Sequence, residues 1–100
     1  MNILFWAFLT LAFQRPQDIL NRAIEDFQNG RIEQSVAGFD RLIKVAPEVA
    51  PQLWQRGIAL YYARHYKECR VQFESHRTVN PDDVENAAWH FLCVAKAESP

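Results

Sequence analysis

The sequence predicts an all-α fold built from antiparallel helix hairpins, and three observations predict it. Apolar side chains recur at helical spacing over residues 53–62. A second periodic run follows and ends at Asn80-Pro81, a helix-stopping pair. Pro47 stands 34 residues before Pro81, so the same punctuation occurs twice.

The chain begins with an apolar stretch, MNILFWAFLTLAF, interrupted only by Thr10 between Ile3 and Phe13. At 1.5 Å per residue such a helix reaches about 17–20 Å, short of the ~30 Å hydrocarbon core of a bilayer. Its length is that of a signal-peptide core, and Thr10-Leu11-Ala12 offers small residues at the two positions expected before cleavage. Residues 1–14 are therefore expected to be a signal peptide and the chain exported, periplasmic or secreted. The alternative is an extra buried or interfacial helix in a membrane-associated or cytoplasmic protein. Membrane contact is expected only through this segment, if it stays attached.

Two hairpins follow, over 15–49 and 50–83. The first opens at Pro16, turns at Gly30 and closes at Pro47. In the second, Leu53, Trp54, Gly57, Ile58, Leu60, Tyr61 and Tyr62 form one broad apolar face, and Pro51 suits a helix's first turn, where a missing N–H costs nothing. Gly57 falls mid-helix, at a cost of about 1 kcal/mol against alanine, which close approach of a second helix would offset. That second helix is expected over 66–79, with Tyr66, Cys69, Val71, Phe73 and His76 turned wholly or partly inward. Residues 84–100 supply one more amphipathic helix, introduced by the carboxylates of Asp82 and Asp83. It is expected to cover the apolar edge of the second hairpin.

These residues resemble the tetratricopeptide (TPR) repeat, a 34-residue helix pair with small residues at its eighth and twentieth positions, aromatics near the seventeenth and twenty-fourth, and proline at the thirty-second. Counted from Ala50, those positions hold Gly57, Cys69, Tyr66, Phe73 and Pro81, while Arg64 replaces the loop glycine and His76 the usual alanine at the twenty-seventh. Counted from Pro16, the matching residues are Ala23, Gly30, Ile32, Ser35, Phe39, Leu42 and Pro47, with Ser35 and Leu42 in place of alanines. The third helix carries Phe91 where a small residue is usual. The resemblance implies a short right-handed α-solenoid of about two and a half repeats.

It also implies a concave groove lined by the first helix of each repeat. Transferred to this chain, its candidate partner-binding residues are Asn21, Phe27, Trp54, Gln55, Ile58, Tyr61, Tyr62 and Trp89. TPR proteins that clamp a C-terminal carboxylate place Lys, Asn and Arg where this chain has Leu20, Ile24, Glu85 and Trp89, so such a clamp is not expected. The aromatic residues suit the anchoring of an interface. Packing between repeats is the competing account of the same rings.

The chemistry of catalysis is thin. Glu25-Asp26 and Asp82-Asp83 are adjacent pairs, which diverge by about 100° on a helix. Ser35 and Ser75 lack the glycines of a nucleophile elbow, and no phosphate-cradling loop is present. His90 and Cys93 share a helix face at i, i+3, with His76 or Cys69 as conceivable partners, but no compact ligand motif surrounds them; histidines packed at helix interfaces are the simpler expectation. His65 is read as a solvated turn residue. Cys69 and Cys93 fall on neighbouring helices and are read chiefly as small buried thiols, with a disulfide as the alternative in an oxidising compartment. Net charge is −1 over 100 residues, with charges dispersed, which argues against a nucleic-acid surface. The expectation is a non-catalytic scaffold without cofactor or metal, binding a peptide or protein; the alternative is a structural or self-assembling segment of a larger repeat array.

Overall fold

The computed structural model describes residues 14–99. Of the segment expected to direct export, 1–14, residues 1–13 lie outside them. The described residues are helical, with no strand among them: α1 (Pro16–Gln28), α2 (Ile32–Val45), a 3-10 segment (Pro47–Gln52), α3 (Trp54–Tyr62), α4 (Tyr66–Arg77) and α5 (Val84–Glu98). None of these helices is long and apolar enough to cross a membrane.

Each helix packs on the next. Between α1 and α2, the buried Ser35 hydroxyl donates to the Ala23 carbonyl at 2.7 Å, and Gly38 lies against Ala23 so closely that an added Cβ would sit 3.0 Å from the alanine methyl. Between α3 and α4, a Cβ on Gly57 would come within 2.5 Å of the Phe73 ring. That contact is the packing reason expected for the mid-helix glycine. Between α4 and α5, Phe73 stacks on Trp89 with ring planes 9° apart. The buried residues form one cluster running from Ile19, Phe39 and Leu42 through Leu53 and Leu60 to Phe73 and Cys93.

The turns ending α1 and α3 are alike. Gly30 N–H donates to Phe27 O and Arg31 N–H to Asp26 O; 34 residues later, Arg64 N–H donates to Tyr61 O and His65 N–H to Leu60 O. This is the paired 5→2 and 6→1 closure of a helix C-terminus, which needs a left-handed residue. Gly30 has φ 77° and Arg64 has φ 66°. Arginine in that conformation costs roughly 1–2 kcal/mol because its Cβ crowds the carbonyl.

Three details differ from expectation. Pro51 lies in the 3-10 segment and not in the first turn of α3; with prolines at 47 and 51 the chain closes i→i+3 bonds, Val49 N–H to Ala46 O and Leu53 N–H to Ala50 O. The second helix of that hairpin ends at Arg77, two residues early, with Thr78 capping it. Val71 is exposed and Gln72 is buried in its place, because the Gln72 amide donates to Ala50 O at 2.8 Å and accepts from Arg56 at 2.9 Å. Arg56 also donates to Asp40 at 3.0 Å, tying α2 to α3. The cap of α5 is as expected: Asp83 Oδ1 accepts from the amides of Glu85 and Asn86 at 3.0 and 3.2 Å.

Candidate aromatic groove

Helices α1, α3 and α5 contribute rings that meet although they are far apart in sequence. Phe27 from α1 stands edge-on to Tyr62 with centroids 5.8 Å apart. Tyr61 and Tyr62 meet at 5.7 Å, and each meets Trp89 of α5, at 5.5 and 6.4 Å. Tyr61 also touches Tyr66 at 5.6 Å. These tilted geometries match the quadrupole preference of aromatic pairs and hold the rings as a continuous strip. Tyr62 stays 58 % exposed and Trp54 45 %, so the strip is packed at its base and open at its surface.

Two hollows flank Trp54 and Ile58, which line both. The smaller, about 210 Å³, is lined by Ile24, Phe27, Gln28, Phe39 and Gln55. The larger, about 610 Å³, opens towards α5 and is bounded by Gln52, Phe73, His76, Asn80, Asp83, Glu85, Asn86 and Trp89. Of the residues expected from sequence, Phe27, Trp54, Gln55, Ile58, Tyr61, Tyr62 and Trp89 thus come together. Asn21 does not; it is exposed on α1 and accepts a hydrogen bond from Gln17 at 2.9 Å, outside both hollows.

Two lining residues were not among those expected for the groove: His76, whose inward turn was expected, and Asn86. His76 Nδ1 lies 3.0 Å from the Pro51 carbonyl, which can only accept, so Nδ1 is the donor of that hydrogen bond. Its Nε2 is buried without a hydrogen-bond partner, with Asp83 Oδ2 at 3.6 Å. The Asn86 amide donates to the Phe73 carbonyl at 3.3 Å and leaves its own oxygen buried and unpaired. The signal that marked His76 was its departure from alanine at a packed position; nothing marked Asn86.

Elsewhere the polar chemistry is structural. Cys69 and Cys93 are joined by a disulfide between α4 and α5, with Cα atoms 5.8 Å apart, and are not separate buried thiols. His90 Nε2 donates to the Glu74 carboxylate at 2.9 Å across the same pair of helices; that contact chiefly holds the Glu74 carboxyl below its usual range, against the opposing effect of desolvation. Arg31, at 2.7 Å, is the main cause of the lowered pKa of Asp26, with burial opposing it and Arg22 adding to it. His65 is partly exposed beside Glu68. Among the described residues no group of three or more His, Cys, Asp and Glu side chains is placed to hold a metal ion.

Compared with protein-family models, curated proteins and solved structures, the chain shows no significant match to any of them.

Proposed function

We propose that this chain is a non-catalytic protein-interaction module, a short TPR-like solenoid that binds a peptide or protein along the face formed by α1, α3 and α5. The observation that carries the reading is the aromatic strip Phe27–Tyr62–Tyr61–Trp89, with Trp54 beside it, assembled from three separate helices and left open to solvent. Rigid rings bury much area for little lost rotamer entropy, which is why such residues dominate binding surfaces. The repeat reading is supported by the matching closures at Gly30 and Arg64 and by the small-residue contacts Ala23–Gly38 and Gly57–Phe73. The Cys69–Cys93 bridge fits an oxidising compartment and so favours export.

Pull-down from the native compartment tests it, with Trp54→Ala and Tyr62→Ala as controls. Loss of the captured protein by both variants is expected; recovery equal to the parent chain would count against the groove.

A second reading has its own observation. On α5, Phe91 is 69 % exposed and Val84 and Leu92 are also open, an uncovered apolar edge suited to a further repeat or a second copy. Mass measured across a range of concentrations separates the two, since a concentration-independent monomer removes self-assembly.

A further inference from the structure

Helix α5 buries one side through Asn86 and Cys93 and turns the opposite side to solvent. On that open side Val84, Ala88, Phe91 and Ala95 recur at spacings of four, three and four residues, with Ala87 and Leu92 beside them, and all six are exposed. This is the spacing of a seam between two helices. Val84 is 80 % and Phe91 69 % exposed. At 100° per residue no charge falls within the stripe; Glu85 and Lys96 border it, both on the same flank. Neither has an ion-pair partner among the described residues, and about 16 Å of helix keeps them from pairing with each other.

We propose that this stripe is a two-fold interface on which α5 of a second copy of the chain lies antiparallel. Two independent features select the same register. Phe91 of each copy falls on Ala88 of the other, and Val84 on Ala95, so bulky side chains meet small ones. A two-fold axis crossing antiparallel helices sets each flank against its own kind. In this register Glu85 comes within one turn of Lys96 of the other copy, on both halves of the interface. Glu98, in the last turn, falls past Val84 of the other copy. Parallel pairing fails on both counts: Phe91 would meet Phe91, and Glu85 would face the apolar flank of Ala87 and Val94. Helix-dipole preference accounts for an acid in the first turn and a base in the last. It does not account for their common flank, nor for an open phenylalanine set among alanines. Trp89 lies towards that same flank, so the dimer carries its two aromatic strips on one side. This specifies the self-assembly reading above and rests on it.

Six side chains, three of them alanines, fall short of the ~1,200 Å² buried by a stable complex, so the expected dimer is weak, with a Kd on the order of 10–100 μM. Sedimentation velocity of the full chain at low salt, from about 1 μM to 1 mM, brackets that range. Phe91→Ala, at an exposed position, should weaken association about tenfold or more. Lys96→Glu and Glu85→Lys, each alone, place like charges together and should also weaken it. An equimolar mixture of those two single variants should associate again, as should the chain carrying both changes. Circular dichroism and melting establish that each variant is folded. Association indifferent to all three single variants would overturn the α5 interface and leave self-assembly standing. Loss with Phe91→Ala but no rescue by the charge exchange would overturn the antiparallel arrangement. A monomer at every concentration would remove the interface and the self-assembly reading together.

Discussion

At Gly57 the α3 backbone runs so near the ring of Phe73 that a methyl group would sit 2.5 Å from Cε2 and 2.6 Å from Cζ. The ring cannot retreat, since it is fully buried and stacked on Trp89. Gly57→Ala would gain about 1 kcal/mol of helix propensity, but repacking around so deep an overlap costs about 2–3 kcal/mol, the upper part of the usual range for an overpacked core. A net loss of about 1–2 kcal/mol is expected, read as a fall of roughly 5–10 °C in Tm. A Tm unchanged or raised would mean that the two helices are not held at this distance. The glycine was legible in the sequence because an interior glycine in a helical run needs a steric reason. The inward place of His76 was legible too, but that of Gln72 was not, because its burial depends on the carbonyl of Ala50, and where that backbone passes is set by the fold and not by periodicity.

Among the elements, α5 is the one whose attachment rests on a covalent bond. Its amphipathic pattern and its Asp83 cap could be read directly from sequence, as could the proline-stopped end of α4 to within two residues. The 3-10 segment could not, since prolines at 47 and 51 are equally compatible with a helical first turn. The bridge likewise stayed open until the two Cα atoms were placed 5.8 Å apart. Closing a loop with sequence separation 24 removes unfolded-state entropy worth about 3 kcal/mol. Reduction should therefore lower Tm by roughly 10–20 °C, as should the Cys69→Ala, Cys93→Ala double variant. The single variants should match the double one. A melting curve indifferent to reductant would show that α5 is held by packing alone.

Across the whole molecule, the two similar turns stand 34 residues apart, as Pro47 and Pro81 do. Seven of the eight groove residues that the repeat resemblance implied line the strip or its hollows. The eighth, Asn21, lies earlier on the same helix than Phe27 and pairs with Gln17 instead. What spacing could not supply is the polarity of the larger hollow, which arises where α4 and the start of α5 converge. Amide hydrogen exchange on the free chain and on its complex with the captured partner tests the central claim most directly. Slowed exchange concentrated in α1, α3 and α5 is expected; slowing confined to α2 and α4, with α3 and α5 unchanged, would contradict it.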